Sequence, residues 1–368
     1  MKVLVTGANG FIGKNLVFRL RELANTEVLA YVRGQDVASL SVMLGQADAV
    51  VHLAGENRPA AVRAFADVNV GLTEEICKGL LVQGRAVPLV LASSSQAVLD
   101  NPYGRSKLAA EQAVLALAKR QGNPVAIYRL PGVFGKWCKP NYNSVVATFC
   151  YNKAHDLPVQ IDDASAWIRL VYVDDLINAM LGQLASGWSG VLRPEVAPEH
   201  TITLGALSDQ IDAFKNCRHN LVSERVGTGL IRALYSTYLS YLPADKFAYS
   251  LPVHGDARGS FVEILKTPDA GQFSFFTSRP GITRGGHYHH TKTEKFLVMK
   301  GHARFGFRNM LSNEVYHLET RGEQPQIVET VPGWTHDITN IGTDEMLVML
   351  WANEIFDREN PDTIISQV

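Results

Sequence analysis

Lys2-Val3-Leu4-Val5-Thr6-Gly7-Ala8-Asn9-Gly10-Phe11-Ile12-Gly13 decides the fold. A short apolar strand runs into a glycine turn, and Lys14–Leu23 continues with helical spacing. Glycines let the backbone turn tightly and approach a pyrophosphate. The helix that follows offers the free N–H groups of its first turn to that anion. In this strand–turn–helix context Gly7, Asn9, Gly10, Phe11, Ile12 and Gly13 read as a dinucleotide-binding turn. Working outward, further apolar strands are expected at Val28–Val32, Ala49–Leu53, Leu89–Ala92 and Val125–Leu130, with helical segments between them. Continuously apolar strands alternating with helices predict an α/β fold, a Rossmann-type doubly wound parallel sheet.

The pattern changes near Tyr241-Leu242-Pro243-Ala244-Asp245. Short strand-like segments follow, among them Gln272–Thr277, Lys295–Met299, His302–Phe307 and Met346–Trp351, separated by Gly and Pro turns. That spacing predicts an all-β barrel or jelly roll. Two domains are expected, residues 1–245 and 246–368, which suits a chain of 368 residues. With 46% hydrophobic residues, the chain can bury sizeable cores. A net charge of −1 argues against electrostatic binding of nucleic acid or an anionic membrane face. No apolar run is long enough to span a membrane, and the N-terminus does not read as a signal peptide. The four cysteines, Cys77, Cys138, Cys150 and Cys217, form no CxxC pair. They read as reduced, packed thiols of a cytoplasmic protein.

Two sets of residues carry chemistry in the first half. The second strand ends in Tyr31-Val32-Arg33-Gly34, with a cation where an acid would hold a ribose diol. Arg33 therefore favours NADPH over NADH; the plainer reading is a solvated surface arginine. Ser93-Ser94-Ser95 ends a later strand, followed by Tyr103-Gly104-Arg105-Ser106-Lys107. Four residues apart on a helix, Tyr103 and Lys107 share a face. The Lys107 ammonium is expected to lower the Tyr103 pKa, so that the phenol can protonate a carbonyl oxygen as hydride arrives. A serine hydroxyl would bind the same oxygen, and its position at the strand end favours Ser94 over Ser95.

The first ~240 residues resemble the extended short-chain dehydrogenase/reductase family. The supporting strings are Gly7–Gly13, Asp48–Gly55, Asn69, the Ser-Tyr-Lys set, Arg129–Gly135 and Val171–Asp175. The resemblance implies that Leu53, Ala54 and Gly55 line the cofactor and that Pro131–Val133 faces the nicotinamide. It also implies a nucleotide-activated sugar as substrate. The sequence departs from the family in the short gap between Ser94 and Tyr103.

In the last third, Gly281-Ile282-Thr283-Arg284-Gly285-Gly286-His287-Tyr288-His289-His290 leads to Glu294. His287 and His289 are two apart, so on a strand both rings point to one face. Glu294 can return from the next strand, and Gly333-Trp334-Thr335-His336 supplies a further imidazole. Three histidines and a carboxylate suit Zn²⁺, Mn²⁺, Ni²⁺ or Fe²⁺. Residues 250–368 resemble the cupin family, and Asp256–Glu263 is similar to the opening of cupin-like sugar-nucleotide epimerases. His290 is open to acid/base, supporting or surface roles.

The arrangement as a whole resembles the bifunctional enzymes of capsular-polysaccharide and O-antigen synthesis. That resemblance implies a UDP-linked 4-keto-6-deoxy amino sugar, a UDP-2-acetamido-2,6-dideoxy-hexos-4-ulose, as substrate. It implies C3 epimerisation in the cupin domain, then NADPH-dependent reduction at C4 on the route to UDP-N-acetyl-L-fucosamine. It also implies zinc and a homodimer. The order follows from chemistry: a ketone acidifies the neighbouring C–H, and hydride addition removes the ketone. Two other readings stand beside it. One is a reductase whose cupin serves only dimerisation. The other is an NADPH-sensing binding protein, against which Tyr103 and Lys107 speak. Asn141, Tyr142 and Asn143 are polar enough to meet a sugar or diphosphate, and Arg169 could meet a phosphate or form an ion pair.

Overall fold

The computed structural model describes residues 1–58, 61 and 63–368. The chain divides into two compact units, Met1–Asp212 with Gly227–Pro243 and Ala213–Val226 with Ala244–Val368. A single cut between 245 and 246 leaves Ala213–Val226 out of the second unit. Yet the backbones of Leu221 and Ser223 bond Lys266 in that unit.

The first unit is built on a six-stranded parallel sheet. Its strands are β1 (Lys2–Thr6), β2 (Glu27–Tyr31), β3 (Ala49–His52), β4 (Leu89–Ser94), β5 (Val125–Leu130) and β8 (Val191–Leu192). They lie in the order β2-β1-β3-β4-β5-β8. A smaller sheet joins β6 (Gly132–Phe134), β7 (Trp167–Tyr172) and β9 (Glu199–Thr203). Both faces of the large sheet are covered, which is why its strands are apolar throughout. On one face, Leu16, Val17 and Leu20 of α1 (Phe11–Arg21) pack with Leu176, Ile177 and Met180 of a helix at Val173–Ser186. The other face takes Leu40 and Leu44 of α2 (Val37–Gln46), Ile76 and Leu80 of α3 (Leu72–Gln83) and Val114 and Leu117 of α4 (Pro102–Gln121). The doubly wound sheet expected from the sequence is present, with α1 starting at Phe11, three residues earlier than its amphipathic spacing indicated. Asn15, buried inside that first turn, bonds the Phe11 carbonyl, so the polar residues there are not a helix boundary.

Strand order reverses between β1 and β3, and ligands of such sheets bind outside the strand ends at that point. Buried His52 fixes the region, with Thr6 Oγ1 at 2.6 Å and Thr73 Oγ1 at 2.8 Å from its two ring nitrogens. Burial pushes its pKa down to about 3, so the ring is neutral.

The second unit is a pair of antiparallel sheets. In chain order its strands are β10 (His254–Asp256), β11 (Gly259–Thr267), β12 (Gly271–Ser278), β13 (Thr283–Tyr288) and β14 (Glu294–Lys300). β15 (His302–Asn309), β16 (Val315–Arg321), β17 (Ile327–Glu329), β18 (Trp334–Asn340), β19 (Met346–Ala352) and β20 (Ile364–Ile365) complete it. The sheet orders are β10-β11-β12-β19-β14-β17 and β16-β15-β18-β13-β20. Phe276, Phe296, Val298, Phe305, Ile338 and Val348 fill the space between them. This is the expected jelly-roll type of architecture. All four cysteines are buried and unpaired, and burial pushes Cys77 up to about 12 and Cys138 up to about 11. No helix among the described residues is long and apolar enough to cross a membrane.

Candidate active site and metal centre

The glycine turn stands at the switch point. Gly7 takes φ +67°, and a side chain there would strike the Ala54 backbone nitrogen at 2.7 Å. Gly13 lies so close to the Gly7 carbonyl, 2.1 Å from where its Cβ would be, that no other residue fits. The turn Gly7–Gly13 and the segment Leu53–Gly55 thus come together, as a dinucleotide cradle requires.

Helix α4 carries the next group. Asn101 caps it by accepting from the Gly104 N–H, Pro102 opens it, and Gly122 closes it in the left-handed region. This capped frame places Tyr103 and Lys107 in its first two turns. The three serines at the end of β4 and just past it separate cleanly. Ser93 donates to Glu111 at 2.6 Å. Ser94 Oγ accepts from the Gln96 N–H at 3.1 Å and also acts on the Tyr103 phenol. Ser95 instead lines a cavity of about 360 Å³.

The electrostatics correct one expectation. Burial raises the Tyr103 pKa, and the Ser94 hydroxyl only partly offsets this. The lowered phenol expected from Lys107 is therefore not found. Lys107 Nζ donates to the Ala92 carbonyl at 2.9 Å, and burial brings its own pKa down to about 8. Glu111, four residues on, pulls in the opposite direction. Its fully buried carboxylate takes Ser93, a two-bonded Arg129 at 2.9 and 2.7 Å, and Arg193 at 3.1 Å. Burial alone would raise the Glu111 pKa, but these bonds hold it below the usual carboxylate range. Gly55 borders the same spot, since a Cβ on it would lie 3.3 Å from Lys107 Nζ.

Arg33 is not a bare cation. Its guanidinium meets Glu56 at 2.8 Å, and the Tyr142 hydroxyl donates to the other Glu56 oxygen at 2.9 Å. Asn69, whose amide reaches Ser106 of α4, bonds the Glu56 backbone on both sides. Glu56 is the residue the sequence reading missed. It follows Gly55 directly, so its nearness to the cofactor segment could have been read, but its pairing with Arg33 could not.

The cavity beside Ser95 is also lined by Val133, Asn143, Trp167 and Arg169. Arg169 makes a two-bonded pair with Glu199 at 2.5 and 2.8 Å. Asn143 faces the cavity, whereas Tyr142 is engaged by Glu56 and Asn141 by Thr148 and Asn152.

In the second unit His287, His289, Glu294 and His336 converge, with one ligating atom from each within 4.8 Å of the others. His287 and His336 are cross-strand neighbours on β13 and β18, while His289 lies just past β13 and Glu294 opens β14. Glu294 Oε2 lies 3.3 Å from His289 Nε2 and 3.4 Å from His336 Nε2. Lys292 stands 3.1 Å from the other oxygen. Burial favours a protonated Glu294, but the two histidines win and hold its carboxyl far below the usual range. Burial pushes His287 down to about 4, leaving a neutral imidazole with a free lone pair. Nδ1 of buried His336 has no hydrogen-bond partner among the described residues, and its Nε2 has only the long 3.4 Å approach to Glu294. A neutral His287 imidazole, an ionised carboxylate and a buried His336 nitrogen without a partner fit a divalent cation. His290 is exposed and stands apart, its ring 5.5 Å from Tyr288.

Residues 3–191 match the NAD dependent epimerase/dehydratase family, and residues 254–364 match the polysaccharide biosynthesis C-terminal domain. A UDP-2-acetamido-2,6-beta-L-arabino-hexul-4-ose reductase of Pseudomonas aeruginosa is 55% identical, covering 100% of this chain and 99% of the relative. The crystal structure of the capsular polysaccharide assembling protein CapF from Staphylococcus aureus is 41% identical. It superposes with a TM-score of 0.92 and covers 100% of both chains. A UDP-glucuronic acid 4-epimerase of Bacillus cereus shares the fold of part of the chain, at 17% identity and TM-score 0.55, over 66% of this chain and 98% of that one. The chain therefore belongs to the NAD dependent epimerase/dehydratase family, among those members that continue into a polysaccharide biosynthesis C-terminal domain.

Proposed function

We propose that this chain is a cytoplasmic, NADPH-dependent reductase of a UDP-linked 4-keto sugar in capsule or O-antigen synthesis, with a metal-dependent 3-epimerase in its second unit. What supports the reading is the hydrogen bond of Ser94 to the Tyr103 phenol, with Lys107 one turn on in the same helix, in a chain similar end to end to a UDP-keto-sugar reductase. Gly7, Asn9, Gly10, Phe11, Ile12, Gly13, Leu53, Ala54 and Gly55 would hold the dinucleotide, and Arg33 its 2′-phosphate. Bound NADPH supplies the hydride. Tyr103, kept protonated by burial, gives its proton to the C4 oxygen, and Ser94 holds that oxygen by a hydrogen bond. Lys107 then steadies the tyrosinate left behind. A neutral phenol is the form a reduction needs, so the raised pKa supports the acid role. The cavity at Val133, Asn143 and Arg169 has room for part of the sugar nucleotide.

His287, His289, Glu294 and His336 would hold zinc, which when bound supplies a Lewis acid for the keto oxygen. Phe276, Phe296 and Leu350 wall the adjoining cavity of about 140 Å³ and limit water there. Epimerisation at C3 precedes reduction, because only the ketone makes that C–H acidic. The substrate is a UDP-2-acetamido-2,6-dideoxy-hexos-4-ulose and the working form a homodimer. The test is NMR of the product formed from that keto sugar with NADPH in deuterated water. Deuterium at C3 with a new C4–H from NADPH is expected. Reduction with no deuterium at C3 removes the epimerase half, and no NADPH oxidation removes the whole reading.

A further inference from the structure

The loop between two of the ligands, His290–Thr293, is governed from far along the chain. Asp362 lies just before β20, which pairs with β13 through Ile365 opposite His287 and Ile364 opposite Tyr288. Its carboxylate accepts four hydrogen bonds from this loop. Oδ1 takes the His290 N–H at 2.8 Å. Oδ2 takes the N–H groups of Thr291 at 2.7 Å and Lys292 at 2.8 Å, and the Thr291 hydroxyl at 3.0 Å. Three consecutive backbone N–H groups on one carboxylate fix the path of the chain from His289 to Glu294. Hydrogen bonds to an ionised acceptor are the stronger kind.

The same residue acts on a ligand directly. His289 Nδ1 lies 2.5 Å from the Asp362 carbonyl. A carbonyl can only accept, so Nδ1 carries a hydrogen, and Nε2 is the ring atom left for a metal. Nε2 is the atom that faces Glu294. A partner on the far nitrogen of a ligating histidine sets both tautomer and ring direction.

We propose that Asp362 is the positioning residue of the metal centre, setting the His289 tautomer with its carbonyl and the His290–Lys292 loop with its carboxylate. This rests on the metal reading given above. Asp362 is not one of the four converging residues, and it acts through His289 and Glu294.

The test uses the full-length chain, zinc and cobalt. Zinc affinity is measured by competition with a chromophoric chelator, and the visible spectrum of the cobalt-loaded protein reports ligand geometry. Asp362→Ala is expected to weaken zinc binding about 10- to 100-fold, the usual cost of losing such a partner. It is also expected to change the cobalt spectrum. Both variants keep the main-chain carbonyl, and Asp362→Asn also keeps one side-chain acceptor oxygen, so it should fall between. Amide hydrogen exchange at 290–292 in metal-free protein should quicken in both variants, which tests the loop without any metal. Asp362→Ala binding zinc within twofold of wild type, with an unchanged cobalt spectrum, overturns the proposal and leaves the metal reading standing. Wild-type protein that takes up no zinc defeats the metal reading, and this proposal with it. If Asp362→Ala does not fold, Asp362→Asn decides by the same two criteria.

Discussion

The two chemical centres are finished in different ways. Around Tyr103 the polypeptide supplies partners for its own buried polar groups. Lys107 has the Ala92 carbonyl, Glu111 has three donors, and Ser106 has Asn69. Around Glu294 the candidate ligand atoms face one another, and Nδ1 of His336 finds no hydrogen-bond partner among the described residues. The first centre can keep its shape by hydrogen bonds alone. The second gathers a carboxylate and imidazole nitrogens of the kind that suit a divalent cation. Loss of one group should therefore act on rate in the first centre and on metal retention in the second.

The strongest way to break this comparison is Tyr103→Phe, which removes the proton donor and leaves the packing against Phe65, 5.7 Å away between ring centres. NADPH oxidation with the keto sugar should fall by about 10³-fold. Cofactor binding, followed by fluorescence titration, should change little. Next comes His336→Ala. Its zinc content after dialysis, read by atomic emission, should drop further than the roughly 10- to 100-fold affinity loss of a supporting residue.

A finer probe is pH. Lys107 is an ammonium below its pKa of about 8 and loses that charge above it. The reduction rate should hold at neutral pH and decline as pH rises through 8. Glu111 raises the Lys107 pKa, so Glu111→Gln should move the decline to lower pH, by up to about one unit. A pH–rate profile of kcat checks both statements. The smallest effect is expected at the pair formed by exposed Arg33 and half-buried Glu56. Freeing the guanidinium with Glu56→Gln should raise the preference for NADPH over NADH about two- to fivefold, in keeping with the small worth of exposed ion pairs. Arg33→Ala should lower the same ratio, measured as kcat/KM for each cofactor.

Periodicity made the parallel sheet and the β-rich second half legible, because buried strands must be apolar and the glycine turn must sit where Gly7 nearly touches Ala54. Spacing also brought out the four metal-ligand candidates, since His287 and His289 share a face and Glu294 opens the next strand. Pairings across long stretches of sequence were not legible. Nothing near Arg33 announces Glu56, 23 residues on, and nothing near His289 announces Asp362, 73 residues on. The Tyr103 pKa also went the other way, because how deeply a ring is buried depends on residues such as Phe65 that no local spacing relates to it.

The four sequestered thiols have a practical consequence. A thiol reacts with alkylating reagents as its thiolate, and groups held unionised by burial react slowly. The wild-type chain is thus a near-silent background for maleimide dyes or spin labels. One cysteine introduced on the outer surface of either unit should take up a probe selectively, so distances could be measured during turnover without first stripping out the native sulfurs.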